Sequence, residues 1–246
     1  MAPRSTIGSL KHVYATTLHG VGRALTRTGL MSETAPPLSH RRRHWAYTLT
    51  RVHDSLAIAE LDVPWWTYGA IDAVSAWIGA QSHPLRVFEY GSGASTFWLA
   101  RRVGTVHSTE HHRGFGEMMT EALGQYDNVD LRIVEPVPST APVVPSAKEG
   151  HGNLDFADYV AAIDALDGRF DLVVIDGRAR EACARRALPR LASRGLVVFD
   201  NSARRRYHRQ IAALPVQERV YRGLTPTLPY PDQTSLLSPR PTPASG

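Results

Sequence analysis

Cysteine is nearly absent from this 246-residue sequence, in which Cys183 is the only one. A single cysteine excludes an intrachain disulfide framework and a zinc site built from several thiolates. A chain of this kind suits a reducing compartment, and we expect it in the cytoplasm.

Long apolar runs are also missing. No run approaches the roughly 20 residues that a transmembrane helix needs, and the N-terminus lacks the apolar centre of a signal peptide. Peripheral membrane contact stays open, because residues 1–30 combine apolar side chains at helical spacing with interspersed Arg and Lys. The alternative is a poorly ordered or self-packing extension, since Gly20 and Gly22 would weaken a helix.

Lysine is scarce, so arginine carries nearly all of the positive charge, and the net charge is +5. Residues 1–44 hold seven Lys or Arg and one acid, which leaves 21 basic and 22 acidic residues in the other 202. The basicity is therefore an N-terminal feature, and the neutral remainder argues against a nucleic-acid partner.

Short apolar segments alternate with helical ones after Trp45, and this order divides the chain into three parts. We assign 1–44 to a basic extension that ends in a linker, 45–238 to one domain, and 239–246 to a disordered Pro-rich tail. Strands are predicted at 85–90, 105–110, 128–134, 170–176 and 195–200, with helices at 66–80, 95–102, 115–123, 156–166 and 180–191. The alternation predicts a parallel sheet with helices on both faces. Candidate strands 218–223 and 233–237 have no helix between them, which predicts an antiparallel pair.

The strand predicted at 85–90 leads into the stretch Glu89-Tyr90-Gly91-Ser92-Gly93. A dinucleotide-binding motif would have a third glycine three residues later, but Thr96 stands in its place. Glu89 would also repel a pyrophosphate, whereas a cationic or zwitterionic ligand suits a carboxylate. Glycines and small residues such as Ser95 indicate that a ligand approaches the backbone closely.

Glu110 ends the second predicted strand, where an acid commonly accepts hydrogen bonds from both hydroxyls of an adenosine ribose. Ribose recognition, together with an acidic turn that lacks a phosphate site, matches S-adenosylmethionine. This molecule has a ribose, a sulfonium cation and an amino-acid end.

Residues 85–112, LRVFEYGSGASTFWLARRVGTVHSTEHH, resemble the opening of class I S-adenosylmethionine-dependent methyltransferases. The similarity extends through FDLVVIDGRAR and GLVVFDN over roughly residues 60–238. It implies an α/β fold with a Rossmann-like, doubly wound sheet of seven mostly parallel strands, an antiparallel last strand pair and helices on both faces. It also implies that the turn borders the methionine part of the cofactor and that Glu110 binds the ribose. The expected cofactor-binding residues are Glu89, Gly91, Gly93, Ser95, Glu110, His111 and Asp176.

Asp176 ends the strand at 170–176, and Asp200 and Asn201 end the next one. Neighbouring strands lie about 4.8 Å apart, so these side chains can converge. Their oxygens suit Mg²⁺ and resemble the metal site of catechol- and caffeoyl-CoA-type O-methyltransferases. The alternative is that Asp176 caps the following helix while Asp200 and Asn201 shape a turn.

Without a metal, a hydroxyl acceptor needs a general base. The candidates are Asp176, His151 in the long loop 135–154, and His208 after the strand at 195–200. Arg178 could clamp a carboxylate or phosphate of the acceptor, or pair with one of the aspartates as scaffold. Trp65 and Trp66 could line the acceptor pocket, although core packing is expected for at least one of them.

The sequence therefore predicts methyl transfer from S-adenosylmethionine to a small-molecule acceptor, at a hydroxyl oxygen. One alternative is a nucleic-acid methyltransferase, which the neutral domain disfavours. Another is a cofactor-binding module without catalysis, because a fold alone does not settle function.

Overall fold

The computed structural model describes residues 27–28, 32, 34–51 and 55–240. The amphipathic helix predicted within residues 1–30 lies almost entirely outside these residues, and so do residues 241–246 of the predicted tail. Within the described part, no helix is long and apolar enough to cross a membrane.

A seven-stranded sheet forms the centre of the domain. Its strands are β1 (Arg86–Tyr90), β2 (Thr105–Glu110), β3 (Val129–Ile133), β6 (Phe170–Ile175), β7 (Leu191–Phe199), β8 (Val216–Gly223) and β9 (Asp232–Pro239). Two-residue strands β4 (Val137–Pro138) and β5 (Leu154–Asp155) pair separately. The helices are α1 (Arg41–Thr48), α2 (Ser55–Glu60), α3 (Tyr68–Gly79), α4 (Ala94–Ala100), α5 (Arg113–Leu123), α6 (Ala157–Ala161), α7 (Arg180–Ala187) and α8 (Arg205–Ala212).

The strand order is β3-β2-β1-β6-β7-β9-β8. Five strands of this sheet run parallel to one another, namely β1, β2, β3, β6 and β7. β9 is antiparallel to both β7 and β8. This confirms the predicted doubly wound sheet and its antiparallel last pair. The order reverses between β1 and β6, and in such sheets a ligand crevice opens outside the carboxyl ends of the strands at that point.

Apolar side chains cover both faces of the sheet. Val87 packs in the cluster under α3 and α4, whereas Phe88 and Tyr90 pack on the opposite face against α6 and α7. Successive side chains of a strand point to opposite faces, and strands covered on both sides are apolar throughout. Glu89 is the exception in β1, since it is a carboxylate in an otherwise apolar run.

The domain extends beyond both predicted boundaries. α1 crosses the expected boundary at 44/45, and Arg41 donates to the Tyr68 carbonyl at 3.2 Å and pairs with Asp72. The buried His44 lies with Nδ1 2.7 Å from the Tyr68 hydroxyl. At the other end, β9 continues to Pro239, one residue past the expected limit.

Candidate functional site

The glycine turn, residues 91–93, connects β1 to α4 at the switch point. Gly91 has φ +95°, and a Cβ atom there would lie 2.7 Å from the backbone of Gly177. Only glycine fits this position without strain, because the turns after β1 and β6 touch each other. The fold itself therefore requires Gly91.

Gly93 differs from Gly91 in this respect. Its backbone is extended, with φ 171°, and a Cβ atom there would meet nothing within 4 Å. Packing within the protein does not require a glycine at this position. The missing side chain instead leaves an open cradle at the cavity that the turn borders.

Glu89 lies beneath this turn and is 0% exposed. Its carboxylate accepts hydrogen bonds from the hydroxyls of Ser95 at 2.6 Å, Thr96 at 2.5 Å and Ser108 at 2.7 Å. Burial raises the pKa of Glu89 to about 7, and the three hydroxyl hydrogen bonds oppose this rise. Strand alternation directs the Glu89 side chain into the packed face under α4, and Glu89 does not line the cavity that the turn borders. That Glu89 borders the ligand stays a prediction.

Thr96 explains the absence of a third motif glycine. Its hydroxyl accepts a hydrogen bond from the Gly93 backbone N–H at 3.0 Å and donates to Glu89. A glycine there would remove the link between the turn and the buried carboxylate. Thr96 therefore fixes the start of α4.

The glycine-turn cavity, about 430 Å³, opens above the turn. Its wall includes every predicted cofactor residue except Glu89, namely Gly91, Gly93, Ser95, Glu110, His111 and Asp176. His151 and Arg178, predicted for catalysis, also line it. The structure thus brings together residues that are up to 87 positions apart in the sequence, from Gly91 to Arg178.

Glu110 presents one oxygen to this cavity. Oε1 accepts from the backbone N–H of His112 at 2.8 Å and lies 2.8 Å from Nδ1 of His111. Oε2 has only a long 3.4 Å hydrogen bond from Ser92 and so keeps capacity to accept others. Burial would raise the pKa of Glu110, but the contacts with His111 and the backbone N–H groups outweigh it and lower the pKa.

His151 is held at the cavity wall by the loop between β4 and β5. Its ring stacks on Phe156 with 6.1 Å between centroids, and it lies 6.4 Å from the ring of His111. Nδ1 is 3.2 Å from the Glu149 carbonyl, which can only accept, so Nδ1 carries the proton of the neutral ring. Burial is the main cause that lowers the pKa of His151, which leaves Nε2 with a free lone pair at neutral pH.

A guanidinium occupies the position expected for a metal. Arg180 is 4% exposed, and its Nη2 donates to Oδ1 of Asp176 at 2.6 Å, while Nη1 donates to the Asp200 carbonyl. Burial raises the pKa of Asp176, and Arg180 opposes this rise. The Asp200 carboxylate is buried and accepts from the Thr234 hydroxyl at 2.8 Å.

Asn201, the third predicted ligand, is also engaged. Its amide nitrogen donates to Asp232 at 2.8 Å, and its oxygen accepts from Arg204 at 3.1 Å. Across residues 34–51 and 55–240, no three His, Cys, Asp or Glu side chains cluster as a metal site. The Mg²⁺ prediction for Asp176, Asp200 and Asn201 gains no support, because Arg180 already pairs with Asp176 and Arg204 already donates to Asn201.

Arg178 lies beside the contacts of Arg180 with Asp176 and Asp200 but forms no ion pair of its own in the described part of the chain. Its buried Nε atom has no hydrogen-bond partner in the described part of the chain, and Nη1 reaches only the Gly177 carbonyl at 3.5 Å. Burial and the neighbouring Arg180 lower the pKa of Arg178. The scaffold role that was the alternative for Arg178 belongs to Arg180.

The two tryptophans divide between cavity and core. Trp65 lines the glycine-turn cavity, whereas Trp66 is fully buried and packs edge-to-face on Trp98 at 5.6 Å. Sequence reasoning missed Phe115 and Lys148, which complete the wall. Phe115 follows Glu110 closely enough to be suspected, but nothing in the pattern indicates that Lys148 reaches across from a distant loop.

Comparison with known proteins gives the class of this chain. A family model described as a methyltransferase domain matches residues 88–202, which run from β1 past the end of β7. The chain therefore contains a methyltransferase domain over these residues, and this domain is built on the seven-stranded, mostly parallel sheet described above. Its methyl donor is S-adenosylmethionine.

Solved structures show a similar fold at low sequence identity. A methyltransferase-like protein from Silicibacter pomeroyi is 23% identical, with a TM-score of 0.42 over 70% of this chain and 88% of that one. A putative caffeoyl-CoA O-methyltransferase from Staphylococcus aureus is 12% identical, with a TM-score of 0.49 over 76% and 92%. Magnesium protoporphyrin IX methyltransferase from Synechocystis, solved with its bound cofactor, is 12% identical, with a TM-score of 0.43 over 69% and 78%. No curated protein matches the sequence.

Proposed function

We propose that this protein transfers the methyl group of S-adenosylmethionine to a hydroxyl oxygen of a small-molecule acceptor. The observation that carries the proposal is the glycine-turn cavity, where the open cradle at Gly93 and the free oxygen of Glu110 share one wall. The domain's near-neutral charge and its single buried cysteine fit a small acceptor and a cytoplasmic setting.

The cavity wall offers groups that suit each part of the cofactor. Oε2 of Glu110 is available to a ribose hydroxyl, and Gly93 leaves room for the methionine part to approach the backbone. Asp176 puts an acid on the same wall, which favours a nearby cation. When bound, S-adenosylmethionine supplies an electrophilic methyl group on a sulfonium.

The chain must then hold the acceptor in line and remove its proton. His151 is suited to accept that proton, because its Nε2 lone pair is free and its lowered pKa keeps the ring neutral. Asp176 is a second proton acceptor on the wall, although its ion pair with Arg180 engages one oxygen. Arg178, with its unpartnered Nε, is suited to position the acceptor.

Calorimetric titration with S-adenosylmethionine tests the cofactor site. We expect Glu110→Ala to weaken binding by at least about tenfold, the effect of losing a hydrogen bond to a charged group. Glu121→Ala is the matched control, since Glu121 is exposed on α5 and lies outside the cavity. Equal affinity in wild type and Glu110→Ala would show that Glu110 does not hold the ribose.

Acceptor class is tested by incubation with labelled S-adenosylmethionine and either a panel of hydroxylated small molecules or total RNA. Label transferred to a hydroxyl compound supports the proposal. Label transferred only to RNA would favour a nucleic-acid methyltransferase. Binding without transfer to either would favour a module that keeps the cofactor but lacks catalysis.

A further inference from the structure

A second cavity adjoins the glycine-turn cavity, and six of its seventeen lining residues are basic. This arginine cavity, about 240 Å³, lies between loop residues 143–148, the start of α7 and the start of α8. Its basic lining residues are Lys148, Arg178, Arg180, Arg185, Arg204 and Arg206, while Glu181 is its single acid. Lys148, Gly177 and Arg178 line both cavities, so the two share a wall.

Only part of this charge is neutralised within the protein. Arg180 pairs with Asp176, and Arg185 pairs with Glu181 at 3.4 Å. Arg178, Arg204 and Arg206 have no carboxylate within ion-pair distance in the described part of the chain. Three guanidinium groups therefore line one cavity without a direct ion pair, although Asp176 lies close enough to interact electrostatically with Arg178 and Arg204.

Two of these three groups, Arg204 and Arg206, are held in place by neutral partners. Arg204 donates to the Asn201 amide oxygen at 3.1 Å, and Arg206 donates to the Tyr207 hydroxyl at 3.2 Å and lies over its ring. Arg178 lines both cavities, and its buried Nε has no hydrogen-bond partner in the described part of the chain. The remaining N–H donors are thus oriented before any ligand binds, which lowers the entropy cost of binding one.

Anions suit this arrangement on electrostatic grounds. Like charges that line one cavity repel each other, and burial together with Arg180 lowers the pKa of Arg178, so an anion beside these groups is electrostatically favourable. Guanidinium groups bind carboxylates and phosphates through two parallel hydrogen bonds. Since residues 45–246 hold almost equal numbers of acids and bases, this concentration of charge is local.

We propose that the arginine cavity binds an anionic group of the methyl acceptor, a phosphate or a carboxylate. This inference rests on the proposed function, because it assigns the acceptor's class at the same site. Arg178 holds the anion at the shared wall, so that the acceptor hydroxyl reaches the glycine-turn cavity. The preferred substrate is then a hydroxylated small molecule that carries a negative charge.

Calorimetric titration of the full-length protein with inorganic phosphate, and separately with malonate, tests this site. Each titration is done with and without S-adenosylhomocysteine, which fills the cofactor site but cannot transfer a methyl group. We expect Arg206→Gln and Arg178→Gln each to weaken anion binding by about tenfold or more. The stronger of the two anions identifies the group as phosphate or carboxylate.

Arg205→Gln is the matched control. It removes the same charge from the same turn of α8, but Arg205 does not line the cavity, so we expect less than about a twofold change. If Arg205→Gln and Arg206→Gln weaken anion binding equally, the anion binds to a diffuse basic surface and not to the cavity, and the proposal is overturned. Arg206 is exposed, so its substitution leaves the fold intact, which a thermal unfolding curve verifies.

Two further outcomes separate this inference from the proposed function. Binding of S-adenosylhomocysteine without any binding of phosphate or malonate would overturn the anion site and leave methyl transfer standing. Binding of an oligoribonucleotide far more tightly than of either small anion, with steep salt dependence, would also overturn the proposal, since the partner would then be a nucleic acid.

Discussion

Three hydroxyl groups surround the Glu89 carboxylate beneath the glycine turn, and water does not reach it. The hydroxyls come from α4 and β2, so the carboxylate ties two elements to β1. Through Thr96, which also accepts from the Gly93 backbone N–H, the carboxylate positions the turn.

Stability should therefore depend on pH through Glu89. Its pKa is about 7 in the folded state and near the ordinary 4.5 when unfolded, so folding favours the protonated form. The stabilisation is full below pH 4.5 and is lost as pH rises toward 7, by up to about 3 kcal/mol. Glu89→Gln stays neutral, so between pH 5 and pH 8 its free energy of unfolding should fall less than that of the wild type. Urea denaturation at both pH values measures this, and parallel losses in the two proteins would contradict it.

Gly91 and Gly93 should respond differently to alanine. Gly91→Ala places a Cβ against the Gly177 backbone at a positive φ, so we expect a loss of at least about 2 kcal/mol in the free energy of unfolding. Gly93→Ala should change that free energy by less than about 1 kcal/mol, yet weaken S-adenosylmethionine binding, because its methyl group enters the cavity.

Urea denaturation and calorimetry on both variants check these expectations, and each glycine serves as the other's control. Tight cofactor binding by Gly93→Ala would show that the ligand does not approach this part of the backbone.

At the level of elements, periodicity was enough to predict the five parallel strands and the last pair, because buried parallel strands are apolar runs bounded by turn residues. It missed α8, whose buried side chains are only Tyr207 and Ile211 among charged residues. Such a helix is stabilised by packing of one narrow face. Two apolar residues among arginines are too few to give a recognisable helical period in the sequence.

At the predicted metal site the structure shows an ion pair with an arginine, which spacing in the sequence could have revealed. Two acids at neighbouring strand ends did come together, as expected from the parallel sheet. Arg180 lies four residues after Asp176, at the start of α7, and pairs with it. Whether a metal ion or a basic side chain balances two neighbouring carboxylates depends on which basic side chains can reach them in the fold. The residues at the strand ends alone do not determine this.

For the whole molecule, the contacts of α1 define where the domain begins. His44→Ala removes the buried contact with the Tyr68 hydroxyl, so we expect a loss of about 1–3 kcal/mol in the free energy of unfolding. His40→Ala, at an exposed position before α1, should change it by less than about 0.5 kcal/mol. Chemical denaturation compares the free energies of unfolding of the two variants. Equal losses would show that residues 41–44 belong to the N-terminal extension and not to the domain.

The shared wall between the two cavities has a thermodynamic consequence. We expect two ligands that both contact Arg178 and Gly177 to change each other's affinity, and linkage requires the same factor in both directions. The cofactor should therefore set the protein's affinity for its acceptor, and the acceptor its affinity for the cofactor. Binding of the cofactor and of the acceptor would then be cooperative within a single chain.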